Sequence, residues 1–364
     1  MKKYILLLIP ILCSCHDDEL NPQSLNDEIE ILVKTHMIHG RIPGAAIGVI
    51  NNGEVSEFFY GTKDLSTGEP SDDMTYFQIA SITKTMTATM IAELVTRGEL
   101  DLNKPANDYL PEELQIPDQD KQPVSLQNLL NHTSGLEREP SAVEAEPYRK
   151  FDLDYLSNYL GNTSLNSDPG MAYQYSNTGY GLAGQILSRY YGKPYKEVIN
   201  DQLFARLNMD FSFCDWDEVA SNNIAVDYFG AKPAEYDNYS EPFAGAYVVK
   251  TNLHDMMLYL DNMINKDQSV FKDAIELSLL PTFDLEFKNK DKVKSRQIGL
   301  GWITYNFTDG KQYVYHDGAL MGSSSFIGYN PESKEGVVVL INSFCPGSEQ
   351  DVIGAEILDL LEEY

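Results

Sequence analysis

Thr75-Tyr76-Phe77-Gln78-Ile79-Ala80-Ser81-Ile82-Thr83-Lys84 is the stretch on which the reading of this chain turns. A mixed polar and aromatic entry leads into Ser81, and Lys84 stands one helical turn on. In a helix starting here, positions i and i+3 share a face, so the Lys84 amine reaches the Ser81 hydroxyl. A serine beside an amine can be an activated nucleophile with no histidine involved. Met86, Met90, Ile91, Leu94 and Val95 then recur on one side of the predicted helix, and Gly98 stands where a C-terminal cap belongs.

Ser-x-x-Lys is expected by chance roughly once in a chain of this length. The chain carries its own control, because Ser269-Val270-Phe271-Lys272 has the same spacing. That second copy lies among Asn, Lys and Asp residues and reads as a helix cap or a loop.

Working outward, an amphipathic helix is predicted over residues 25–37, followed by strands at 45–50 and 54–60. Asn52-Gly53 between two apolar runs is a hairpin signal. Residues 101–213 read as mainly helical, with segments near 125–130, 152–160, 178–191 and 195–207. Residues 214–244 are irregular and aromatic, a long surface loop, and a helix follows at 252–264. Strands return at 299–306, 312–316, 323–329 and 336–341, and a helix at 350–361 closes the pattern. Strands at both ends with helices between them predict an α/β (α+β) fold: an antiparallel sheet built from both chain ends, flanked by helices, with a helical insert at about 101–213.

At 364 residues the chain can bury a large core, and residues 25–364 are read as one domain. Its formal net charge of -28 argues against nucleic acid and anionic lipid as electrostatic partners. Lys2 and Lys3 precede a short apolar run that ends at Leu12-Cys13-Ser14-Cys15. This resembles a bacterial lipoprotein signal over residues 1–14, with Cys15 lipidated, residues 15–24 as a tether, and the mature protein anchored in the cell envelope. Cys214 and Cys345 then remain, and both a disulfide and two buried thiols are open readings. His36 and His39 lack an evident third ligand, so no metal site is predicted.

Three further segments carry chemistry. Tyr175-Ser176-Asn177 offers a phenol and an amide on one side of an extended stretch. A phenol beside an ammonium ionises more readily and can take the serine's proton, while Asn177 can hold the lysine and a substrate carbonyl. Tyr236-Asp237-Asn238 has the same spacing but lacks a following helix. His316-Asp317-Gly318-Ala319 ends a predicted strand. Gly318 lets a substrate lie close to that edge, and the Ala319 N–H can pair with the Ser81 N–H as an oxyanion hole. In Leu129-Leu130-Asn131-His132-Thr133-Ser134-Gly135-Leu136, His132 is read as holding a loop.

In this order, with Ile42-Pro43-Gly44-Ala45-Ala46 and Gly299-Leu300-Gly301-Trp302, the segments resemble the family of class C serine β-lactamases, penicillin-binding DD-peptidases and related esterases. The resemblance runs from about Ile42 to the C-terminus. It implies Ser81 as nucleophile, with Lys84 and Tyr175 moving protons and the choice of principal base open. It also implies Asn177, His316, Gly318 and Ala319 as substrate-binding groups. His316-Asp317-Gly318 stands where class C β-lactamases usually have Lys-Thr-Gly, which removes a cation for a substrate carboxylate.

The resulting expectation is a lipid-anchored serine hydrolase without metal or cofactor. Its substrates would be D-amino-acid peptides, peptidoglycan fragments or small esters rather than β-lactams. A β-lactamase proper, and a non-hydrolytic penicillin-binding sensor, are the alternatives. The sequence leaves the oligomeric state open.

Overall fold

Asn52 and Gly53 both take positive φ, 51° and 79°, the geometry of a tight two-residue hairpin turn. They join strand β1 (Gly44–Asn51) to β2 (Glu54–Asp64) in the computed structural model, which describes residues 24–117, 122–141, 151–219, 223–234 and 240–364. A short β3 (Glu69–Pro70) extends this end. The C-terminal half contributes β4 (Phe283–Leu285), β5 (Val293–Ile298), β6 (Ile303–Phe307), β7 (Gln312–Leu320), β8 (Ser323–Asn330) and β9 (Glu335–Ile341).

Among the described residues these strands form one antiparallel nine-stranded sheet, in the order β3-β2-β1-β9-β8-β7-β6-β5-β4. The join between the chain ends is β1 against β9, with Ala45 opposite Ile341 and Ile50 opposite Gly336. This is the predicted sheet. Beyond the prediction are β4 and β5, and residues 299–302 form a connection rather than a strand, closed by the Gly299 N–H on the Trp302 carbonyl at 2.9 Å.

Alternation along β1 explains the layers. Ala45, Ile47 and Val49 pack with Ile29 and Val33 of helix α1 (Leu25–Gly40) and with Ile353 and Ile357 of the C-terminal helix Glu349–Leu361. Ala46 and Ile50 face the other way, into a larger core with Leu253, Met257 and Leu260 of the helix Leu253–Ile264. Covered on both faces, β1 buries nearly every side chain, Ile47, Val49 and Ile50 each contributing about 1.5–3 kcal/mol.

Helix α2 (Thr83–Thr96) continues from a 3-10 turn, Ala80–Ile82. It is buried almost all round, not along the one apolar side that the sequence predicted. Its threonines make that tolerable by bonding back to carbonyls. Thr85 Oγ1 reaches Ile82 O at 2.8 Å, and Thr89 Oγ1 reaches Thr85 O at 2.9 Å. The predicted helical segments are found in place, with residues 195–207 interrupted by a π-helical turn, Asn200–Phe204, and a helix Lys272–Leu279 lies beyond the prediction. Cys214 and Cys345 are both buried and free. No helix among the described residues is long and apolar enough to cross a membrane, and none of their acidic, His or Cys groups clusters as a metal site. The predicted signal at 1–14, Cys15, the tether at 15–24 except Ser24, and Tyr236-Asp237-Asn238 lie outside the described residues.

Candidate active site

Ser81 sits in the 3-10 turn that starts α2, directly after Ala80, whose φ of 47° is unusual for a residue with a side chain. Two contacts hold this bend. Ser325 Oγ of β8 donates to the Ile79 carbonyl at 2.8 Å, and the Ile79 N–H donates to the Val249 carbonyl at 3.1 Å. The next turn brings Lys84 Nζ to 3.0 Å from Ser81 Oγ, as the i, i+3 spacing predicts.

Lys84 is fully buried. Its Nζ donates to the Ala246 carbonyl at 2.9 Å and lies 4.8 Å from the centre of the Tyr175 ring. Burial holds its pKa well below the usual lysine range, opposed by Glu139 and Asp317 and assisted by Arg138. An amine driven toward its neutral form beside a serine hydroxyl is able to accept a proton.

Tyr175 hydrogen-bonds Ser81, but burial pushes its phenol far above the ordinary tyrosine range. The expectation that a neighbouring ammonium helps it ionise is opposed in this pocket, because the same burial drives Lys84 toward neutrality. A phenol so raised keeps its proton at neutral pH and is able to donate it. Asn177 also departs from expectation. It begins the helix α3 (Asn177–Tyr191), capped by Ser176, and its Nδ2 donates to Glu139 Oε1. The lysine is held by the Ala246 carbonyl instead.

His132 holds its loop as predicted. Its Nδ1 accepts the Ser176 N–H at 3.0 Å, its carbonyl accepts the Gln174 N–H at 2.7 Å, and its ring packs 4.3 Å from that of Tyr175. Burial and the neighbouring Lys84 keep it neutral, its pKa far below the usual histidine range. His316 is buried on β7 with Nδ1 2.6 Å from the Asp317 carbonyl, and burial lowers it to about 4. With the proton on Nδ1, Nε2 is left as an acceptor, so His316 provides no cation.

Gly318 is needed for a reason other than substrate approach. A Cβ there would lie 2.4 Å from both Ile79 O and Ser325 Oγ and 3.0 Å from Ser81 N. The bare backbone lets β7 press against the Ser81 bend. The β6 ladder pairs with β7 only from Gln312 to Tyr315, so His316 to Leu320 present an edge beside the serine. Ser81, Tyr175, His316, Asp317 and Ala319 line one cavity of about 220 Å³. Arg138 and Arg296 line it too, and sequence reading missed both. Arg138 lies in the loop after Leu136, 5.2 Å from the Tyr175 ring centre. Arg296, on β5, bonds the Tyr315 hydroxyl at 3.0 Å and stacks 5.4 Å over Tyr305. No local signal marks either; each becomes a cleft cation only through the fold.

The β-lactamase family model matches residues 29–362. This chain belongs to the β-lactamase family. Among family relatives, the protein named flp from Staphylococcus aureus strain MW2 is 26% identical over 86% of this chain and 62% of its own length. The chain thus spans about three fifths of the length of that relative. A β-lactamase of Escherichia coli strain K12 is 24% identical over 98% of both chains. Among solved structures, the octameric penicillin-binding protein homologue from Pyrococcus abyssi superposes with a TM-score of 0.79. It is 26% identical, over 92% of this chain and 77% of that one. The β-lactamase and penicillin-binding fold expected from the motif order is therefore shown.

Proposed function

We propose that this family member is a serine hydrolase that forms an acyl-enzyme on Ser81. The observation that carries the reading is the 3.0 Å approach of a buried Lys84 amine to the Ser81 hydroxyl. Lys84, neutral before the reaction, takes the hydroxyl proton as Oγ bonds the substrate carbonyl carbon. The backbone N–H groups of Ser81 and Ala319 receive the oxyanion. The Tyr175 phenol passes its proton to the departing amine or alkoxide and regains one from the Lys84 ammonium. Water then attacks the ester under the same base, and the acid product leaves Ser81 free.

Amide and ester substrates of the D-amino-acid peptide, peptidoglycan-fragment or small-ester class fit this chemistry. Arg138 and Arg296 favour a carboxylate near the scissile bond, a role that neutral His316 does not fill. β-Lactamase action is the second reading, favoured by the end-to-end match to the Escherichia coli enzyme. A lipid anchor at Cys15, inferred from the Leu12-Cys13-Ser14-Cys15 run, would place the hydrolase in the cell envelope.

The test is an intact-mass time course of protein begun at Cys15 with excess benzylpenicillin, following the drug in the same sample, and a parallel assay on a D-alanyl-D-alanine peptide and a small ester. Peptide or ester turnover lost in Ser81→Ala supports the first reading. Rapid drug consumption without a persistent adduct favours the second. A persistent adduct with no turnover of any substrate would make the protein a sensor.

A further inference from the structure

The Asn177 side chain is 4% exposed, and its two polar atoms are treated unequally. Nδ2 donates to the Glu139 carboxylate, while Oδ1 is buried without a hydrogen-bond partner. A buried, unpaired acceptor costs about 1–3 kcal/mol and is retained where something uses it. A carboxylate accepts only, so Glu139 fixes the amide with its nitrogen toward the acid and its oxygen away. After Lys84 takes the serine proton, the ammonium has three donors to satisfy, and the Ala246 carbonyl accounts for one of them.

Charge points the same way. The groups acting on Lys84 are Glu139 and Asp317, which favour its ammonium, and Arg138, which opposes it. His132 and His316 are kept neutral by burial, and burial likewise keeps the Tyr175 and Tyr180 phenols protonated, their rings 4.8 and 5.7 Å from the amine. After burial, Glu139 exerts the largest influence on the lysine.

We propose that Glu139 is a positioning residue of the acylation step: it locks the Asn177 amide so that Oδ1 receives the Lys84 ammonium formed when Ser81 is deprotonated. It acts through Asn177 and through its field, and touches no reacting atom. This inference rests on the Ser81–Lys84 reading above, and it sets Glu139 apart from the adjacent Arg138, which lines the cleft.

The experiment compares Glu139→Gln and Glu139→Ala with the parent protein on p-nitrophenyl butyrate across pH, with Ser81→Ala as control. Lys84 is followed in parallel by NMR of ε-13C-lysine, its signal assigned from Lys84→Arg. Glu139→Ala should lower kcat/KM about tenfold or more, and Glu139→Gln, which still accepts from Nδ2, should restore most of that loss. Removing the negative charge destabilises the ammonium, so in Glu139→Gln the acid limb and the Lys84 titration both move to lower pH. Parent-like pH profiles and an unmoved Lys84 signal in both variants would overturn the proposal, and the NMR arm decides this even if the ester is a poor substrate. Turnover surviving in Ser81→Ala would instead overturn the nucleophile assignment.

Discussion

Two Ser-x-x-Lys segments with identical spacing have opposite fates in this molecule. In the first, Lys84 is fully buried and lies 3.0 Å from Ser81. In the second, Lys272 turns away from Ser269 to pair with Asp267 at 2.7 Å in the open, which holds its pKa above the usual lysine value. Ser269 Oγ merely accepts the Phe271 N–H at 3.0 Å. Spacing can bring an amine to a hydroxyl. Only a surrounding fold can strip that amine of water and weaken its hold on a proton.

The comparison is broken most directly at the serines. Ser81→Ala should reduce turnover at least about a thousandfold, while Ser269→Ala leaves it unchanged; parity between the two would end the argument. At the lysines the contrast becomes one of activity against stability. Lys84→Met should lose about a hundredfold or more in kcat/KM, yet raise the unfolding free energy by about 1–2 kcal/mol, read by denaturant titration. The sign follows from burial. The unfolded lysine stays protonated up to the ordinary lysine range, whereas the folded one sheds its proton at lower pH. Between those values the folded state binds fewer protons, so this residue destabilises the fold increasingly as pH falls, and the methionine removes that penalty. The same shift predicts that kcat/KM declines on the acid side, as Lys84 charges and can no longer accept from Ser81.

Smaller effects sharpen the picture. Gly318→Ala should push β7 off the Ser81 bend and lower kcat about tenfold, with thermal unfolding showing a loss of about 1–3 kcal/mol. Arg138→Ala should raise KM several-fold, roughly 1 kcal/mol, for a carboxylate-bearing substrate and spare a neutral ester. Lys272→Met should leave the denaturant midpoint and the activity as they are in the parent.

Much of this was legible in the sequence because it is local. Asn52-Gly53 specifies its hairpin, and Ser81 and Lys84 meet within one turn of helix. What escaped is non-local or lacks a pattern. Val293-Lys294-Ser295-Arg296-Gln297-Ile298 forms a strand near the sheet edge whose polar run shows no apolar alternation, so it passed unread, and Arg296 with it. The carbonyl that holds Lys84 belongs to Ala246, 162 positions away, and a backbone atom leaves no mark on composition. How Lys84 and Tyr175 divide the proton transfers is not legible, because the sequence shows which charges are neighbours but not how much water remains between them.

The pairing of Ala45 with Ile341 has a consequence in time as well as space. The middle of the sheet cannot close until almost the whole chain has left the ribosome, because β1 waits for β9. Until then β1, apolar on both faces, has one finished neighbour and one open edge. Such long-range closure slows folding and lengthens the interval in which that edge can pair wrongly. The Ser81 bend, tied to β8, depends on the same late-arriving strands for its support.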